Sequence, residues 1–427
     1  MSGRWLIRRA RLLDPALGSE KAGDLFIEDG HVAPLPSRRP SGVEIFDAEG
    51  RPLVPALMDL HVHLREPGDE DAETIASGLR AARAAGFGGV VAMPNTRPPA
   101  DTPDRVREIL ARAAAVRGGA SLWPAACLTR GRAGGAVADL EALAEAGAVA
   151  FTDDGATPSD SAVMREAMRR AAALGRPVLD HAEDPALERA GVMHAGAAAR
   201  RHGLPGIPAE AETSMVERDI ALARETSVRL HIQHVSTAGG VESIRAARAE
   251  GWPVSAEATP HHLALTEADV RPDDANYKIH PPLRSVEDRE ALIQGVLEGA
   301  ISCLATDHAP HTRAAKGQGF LTAPPGVVGL ETAIGVTWTH LVVERGMAPI
   351  EWLRRWTAGP AEVLGRSPPS LQPGAPADLV LLDVETPWTV RPEEFLSKSR
   401  NTPFTGRALK GRALAVWMGG RLLRFRH

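Results

Sequence analysis

Residues 56–64, ALMDLHVHL, are a short apolar run that ends with two histidines, His61 and His63, one residue apart. A run of this length, preceded by Pro55, suits a buried strand better than a helix. Alternation along a strand sends residues i and i+2 to the same side, so both imidazoles can chelate one cation. Seven runs of the same texture follow: GGVVAMPN (88–95), SLWPAACLT (121–129), AVAFTDDG (148–155), RPVLDHAED (176–184), VRLHIQHVS (228–236), WPVSAEATP (252–260) and ISCLATDHAP (301–310). Between most of them lie Ala/Arg/Glu-rich stretches with helical spacing, such as DAETIASGLRAARAAG (71–86) and SAVMREAMRRAAALG (161–175). In the second, Val163, Met164, Ala167, Met168 and Ala171 share one face. Each stretch ends in glycine, as is common just past a helix C-cap. Eight strand candidates alternating with helices predict an α/β fold, a (β/α)8 TIM-like barrel over residues 55–365.

The two ends of the chain differ from this middle. WLIRRARLLD, GDLFIEDGHVA and GVEIFDAEG near the start, and GAPADLVLLDVETPWTV and GRALAVWMGGRLLRF near the end, read as strands punctuated by Gly, Pro and Asp. Residues 1–54 and 366–427 are therefore expected to form one small β domain built from both ends.

Composition narrows the function classes. The chain of 427 residues is 44% hydrophobic and 24% charged, as expected of a globular protein with a large core. Its net charge is -5, from 49 Lys+Arg against 54 Asp+Glu, and no basic stripe points to nucleic acid. No run of about 18 apolar residues could span a bilayer. Arg4, Arg8 and Arg9 are not followed by the apolar run of a signal peptide. Cys127 and Cys303 are too few for a disulfide framework and sit in predicted strands as buried thiols. A cytoplasmic location is the expectation. The lysines number five, at 21, 278, 316, 398 and 410.

In such a barrel the chemistry gathers at the C-terminal ends of the strands. The first strand ends in His61 and His63, the fourth in Asp153, the fifth in His181, the sixth in His234 and the eighth in Asp307. Four imidazoles and two carboxylates at one mouth suit zinc or a pair of divalent metals. By alternation, Asp154 is expected to turn from Asp153 and hydrogen-bond backbone in the DDG turn. His231, three positions from His234, is expected on the other face in a structural role.

MDLHVHLREPG (58–68) and ATDHAPHTRAAK (305–316) resemble the two signature stretches of the dihydroorotases, in the amidohydrolase superfamily. The resemblance extends in order through MPNTRP (93–98), FTDDG (151–155), DHAED (180–184), HIQHVST (231–237), TPHHL (259–263) and GVVGLET (326–332), and the terminal segments resemble the family's composite β-sandwich domain. It implies reversible cyclisation of N-carbamoyl-L-aspartate to L-dihydroorotate plus water, a step of pyrimidine biosynthesis. His61, His63 and Asp307 would bind a first Zn2+, and Asp153 would bridge to a second held by His181 and His234. Related hydantoinases bridge with a carboxylated lysine, but no lysine lies between Lys21 and Lys278. Asp307 would also serve as the proton shuttle. Arg65, Asn95 and His311 would hold the substrate carboxylate, and Pro325 and Gly326 would touch the ring through backbone.

Two departures stand out. His280, expected to contact the ring amide of the substrate, replaces the Asn usual before the two prolines, and Pro325 replaces a frequent aromatic. The Gly- and Pro-rich stretch 312–326 reads as a mobile loop over the site. The resemblance also implies a homo-oligomer and leaves open a complex with aspartate transcarbamoylase. Cyclic amidases of hydantoins, dihydropyrimidines or allantoin, and a metal-free scaffolding subunit, are the competing functions. The six ligand candidates oppose the scaffold, while Arg65, Asn95 and the missing lysine oppose the other amidases.

Overall fold

The computed structural model describes residues 3–38 and 40–424; Met1, Ser2, Arg39 and the last three residues of the C-terminal segment lie outside the described residues. Each of the eight apolar runs forms one parallel strand of a single sheet. In barrel order they are β1 (Leu57–Val62), β2 (Phe87–Ala92), β3 (Ser121–Ala126), β4 (Ala150–Phe151), β5 (Val178–Asp180), β6 (Leu230–Ile232), β7 (Val254–Ala258) and β8 (Cys303–Leu304). A parallel bridge between Val62 and His308 closes β1 on β8, and the His63 amide donates to the His308 carbonyl at 2.8 Å.

Met58, Leu60, Val91, Met93, Ala125, Ala150, Leu179 and Cys303 form one buried cluster contributed by six of the strands. The helices pack outside. Ser161–Ala173 is capped by the Asp160 carboxylate and buries Met164, Ala167, Met168 and Ala171; Val163, at the edge of the same face, stays half-buried. Gly175 follows at φ 63°, a left-handed conformation that a side chain would strain. Both cysteines are buried and free.

Strands from both ends of the chain join in one mixed eight-stranded sheet, among them Arg4–Asp14, Pro52–Pro55, Leu379–Asp383 and Arg412–Met418. Every residue of Leu379–Asp383 is buried because the sheet has two covered faces. Leu379 and Leu381 enter a core with Trp5, Ile7 and Trp417, whereas Val380 and Leu382 pack into the core of the barrel and its helices. The alternation of one strand thus welds the terminal sheet to the barrel. Among the described residues no helix is long and apolar enough to cross a membrane.

Beyond β5, β7 and β8 the loops are long and carry their own core, in which Val192, Met193, Tyr277, Ile279, Phe320 and Val327 are buried together. The 312–326 stretch is tied into it. Lys316 is buried and donates to the carbonyls of Pro324 (2.9 Å) and Lys278 (3.3 Å). Burial, with Lys278 alongside, pulls its ammonium down to about 7.

Candidate metal centre

His61 and His63 arrive from β1 as expected. His61 Nε2 lies 3.2 Å from Asp154 Oδ1 and 3.5 Å from Asp307 Oδ1, and His63 Nε2 lies 3.1 Å from Asp307 Oδ1 and 3.5 Å from Asp154 Oδ2. His181 Nδ1 and His234 Nε2 are 2.9 Å apart, at 3.9 and 3.8 Å from Asp154 Oδ1. All six side chains are buried. His234 and Asp307 stand two and three positions beyond a short strand, at φ 31° and 44°. Such left-handed backbone is uncommon outside glycine, less so for His and Asp, and concentrates at functional sites.

The carboxylate that meets all four imidazoles belongs to Asp154, not Asp153. Asp153 turns instead onto the loop after β3, accepting from the Thr129 amide (3.1 Å) and, more closely, from the Thr129 hydroxyl. Alternation misleads here because β4 ends at Phe151 and the next residues are no longer extended strand. The Asp154 amide donates to Thr152 Oγ1, closing a tight turn, and Arg132 clamps the carbonyls of Asp153 (3.2 Å) and Asp154 (2.7 Å). That clamp rotates the second aspartate into the mouth.

The proton inventory explains what such a cluster can hold. His61 Nδ1–H donates to Glu257 (2.7 Å) and His63 Nδ1–H to Asn95 Oδ1 (2.9 Å). Each ring therefore aims a lone pair from Nε2 at carboxylate oxygens that are also acceptors only. His61 Nε2 and Asp154 Oδ1 are both buried without a hydrogen-bond partner. Acceptors facing acceptors in a dry site need a positive charge between them, a metal ion or a proton. Two overlapping sets, His61/His63/Asp307 and His61/Asp154/His234, have ligand atoms close enough to share an ion. These residues fit a bound metal ion, and His181 adjoins the second set from β5, 2.9 Å from His234. The same fields act on protons. Without an ion, a proton takes that place on His61: burial opposes charge on the ring, yet Asp154, Asp307 and Glu257 hold it well above the ordinary imidazole range. Burial likewise opposes charge on Asp307 and Asp154, but the neighbouring histidines keep both carboxylates below their usual range.

The substrate-binding candidates gather at one rim. Arg65 Nε donates to the Pro310 carbonyl at 3.1 Å, and its Nη2 is 3.3 Å from His311 Nε2. His311 Nε2–H donates to the Pro325 carbonyl (2.8 Å), and burial with Arg65 and Lys316 nearby lowers this imidazole to about 3, so it is neutral. Gly326 sits at φ 125°, where a Cβ would fall 2.7 Å from that of Ala309 and 3.2 Å from His311 Nε2. Asn95 faces inward, accepting from His63 and donating toward the Asp154 carboxylate at 3.3 Å. His280 is the departure with a visible consequence. Its Nε2 lies 2.5 Å from the buried Glu183 carboxylate, which also accepts from Arg284 at 3.2 Å. Burial disfavours the charged ring, but Glu183 raises it to about 9. As an imidazolium ion-paired with Glu183, His280 offers none of the acceptor capacity of an Asn.

Two buried carboxylates, Glu183 and Glu257, have no signal in the sequence reading, and a third, Asp154, is read there only as a backbone partner in the DDG turn. Only an acidic residue inside an apolar run, as in VSAEA, could have flagged Glu257. His231, taken as structural, shares that carboxylate at 3.0 Å.

The chain is also similar to known proteins. The family described as dihydro-orotase-like matches residues 50–239. A dihydroorotase of Pelotomaculum thermopropionicum is 45% identical over 419 residues, 98% of each chain. One of Deinococcus radiodurans is 45% identical over 406 residues, 95% of this chain and 96% of its own. Among solved structures, an L-hydantoinase (dihydropyrimidinase) from Arthrobacter aurescens matches 99% of this chain and 96% of its own, with a TM-score of 0.85 at 25% identity. The closer sequence relatives, which span nearly the full length, decide between the two names: the chain belongs to the dihydroorotase family.

Proposed function

We propose that this chain catalyses the reversible, zinc-dependent interconversion of N-carbamoyl-L-aspartate and L-dihydroorotate. The observation that carries the proposal is the Asp154 carboxylate ringed by four histidines, beside a rim where Arg65 and His311 meet. His61, His63 and Asp307 would hold one Zn2+ and His181 and His234 the other, with Asp154 bridging where the first expectation had Asp153. When bound, the metals lower the pKa of water toward neutrality and polarise a carbonyl.

The chain's own residues supply the rest. Arg65 presents a guanidinium fork to the substrate carboxylate, which it can bind bidentately. Neutral His311 would add a hydrogen bond by turning its one N–H from the Pro325 carbonyl to that carboxylate, and backbone at Pro325 and Gly326 limits the ring's position. In the hydrolytic direction water adds to the ring amide carbon and the carbon–nitrogen bond breaks. Asp307, ionised at neutral pH, accepts the proton from water and returns it to the departing ureido nitrogen. Asn95 holds His63 and Asp154 in register, and its amide would also serve the substrate carboxylate. The chain is further proposed to be a homo-oligomer able to join aspartate transcarbamoylase.

The test is turnover of L-dihydroorotate by the purified chain with zinc, compared with hydantoin and dihydrouracil. Turnover of dihydroorotate alone, lost to a chelator and restored by zinc, supports the proposal. Turnover of hydantoin instead, or activity indifferent to the chelator, overturns it. Arg65→Met should raise KM for dihydroorotate by about 10- to 100-fold, the loss of one charged hydrogen-bonding group. An unchanged KM in steady-state kinetics would remove Arg65 from the carboxylate subsite.

A further inference from the structure

Strand β7 sends no ligand into the cluster, yet its Glu257 reaches the cluster from behind. The side chain is fully buried, and its carboxylate collects three donors from two other strands. Oε1 accepts from His61 Nδ1–H at 2.7 Å and from the His234 amide at 3.2 Å; Oε2 accepts from His231 Nε2–H at 3.0 Å. The Glu257 carbonyl, in turn, accepts from the amide of Val235 at 3.0 Å. One residue thus grips the chain on both sides of His234, where the backbone leaves β6 in its left-handed turn. His231 is itself held at its other nitrogen by Ser255 Oγ, 2.9 Å away.

We propose that Glu257, oriented by His231, is a positioning residue of the metal centre: it fixes which nitrogen of His61 faces the cations and holds the turn that points His234 at them. The inference rests on the metal reading above. Burying a carboxylate is strongly unfavourable unless its donors and charge are used, and a neutral side chain could fill the same strand position. What the charge adds is specific to a ligand histidine. A carboxylate on one ring nitrogen fixes the tautomer and makes the other nitrogen a more basic ligand. Coupling one ligand's ring to another ligand's backbone also ties β1 to β6 across the barrel at the level of the metals.

Zinc affinity measured by chelator competition tests this on the full chain. Glu257→Gln should weaken zinc binding about 10- to 100-fold, the usual cost of losing such an outer partner. At saturating zinc its kcat should fall while KM for L-dihydroorotate holds. The visible absorption of the cobalt-substituted chain should also change, because the field at His61 changes; a role confined to packing would lower Tm and leave that spectrum alone. His231→Asn, which acts through the other carboxylate oxygen beside a cavity of about 260 Å3, should shift zinc affinity in the same direction by a smaller factor. Unchanged zinc affinity and an unchanged cobalt spectrum in Glu257→Gln would overturn the proposal. Should that variant fail to fold, unchanged affinity in His231→Asn overturns it instead. A wild-type chain that binds no zinc would instead sink the metal reading itself.

Discussion

Asp154→Ala should cost turnover at least about a thousandfold, and Asp153→Asn should leave it within about threefold of wild type. The first figure follows from losing the carboxylate that faces all four histidines. Metal ions contribute several kcal/mol to such a transition state, and each ~1.4 kcal/mol is tenfold in rate. Metal analysis should show Asp154→Ala short of zinc even after incubation with excess. Asp153→Asn keeps an oxygen able to accept from the Thr129 amide, so its loss should fall on stability. A cost of about 1–3 kcal/mol is expected for disturbing a buried charged hydrogen bond, read from urea unfolding. The reverse pattern, with Asp153→Asn inactive and Asp154→Ala active, would return the bridging role to the first aspartate. Both variants lie in one turn, so the pair separates local disruption from lost ligation better than either alone.

Asp307→Asn should reduce kcat by about 10²- to 10⁴-fold, the usual contribution of a placed proton-transfer group, while zinc content falls far less. The amide oxygen can still face His63, 3.1 Å from the present carboxylate oxygen, so the ligand set is largely kept. What is lost is a group able to take a proton. The histidines beside it hold Asp307 below the ordinary carboxylate range, so wild-type Asp307 is ionised across the neutral region. Near-normal turnover of the asparagine variant in steady-state assays would eliminate it as the shuttle. Zinc loss matching the rate loss would mean that the substitution acted through ligation.

The barrel was legible because its signal is local. Eight short apolar runs, most of them separated by helical stretches, read directly as alternating elements, and each coincides with one of β1 to β8. His61 and His63 were legible for the same reason, since His61 lies in β1 and His63 directly follows it. His181, His234 and Asp307 were found by their place after strands. Where the strand is two residues long, as in β4 and β8, period-two reasoning soon runs out of strand. It failed between Asp153 and Asp154 on that account.

Glu257 and His231 illustrate a second kind of failure. Nothing in VSAEA or LHI announces that the two side chains share a proton-bearing contact, because the partners are on different strands and meet only through sheet register. The β6 and β7 strands pair Leu230 with Val254 and His231 with Ser255. That register brings His231 beside Glu257 two residues further on. Similarly, replacement of an Asn by His280 was visible in the sequence, but its ion pair with Glu183 was not.

Residue type, order and spacing alone determined the alternating fold, the identity of the four histidines and Asp307, and the absence of a lysine that could bridge metals. These are properties of the chain itself, carried by local periodicity and by counting. Tertiary structure alone decided which of two adjacent aspartates faces the histidines. It did so through Thr129, which takes one carboxylate, and Arg132, which clamps the turn. Both come from the loop after β3, and a choice between side chains one residue apart depends on such contacts because their intrinsic preferences are the same.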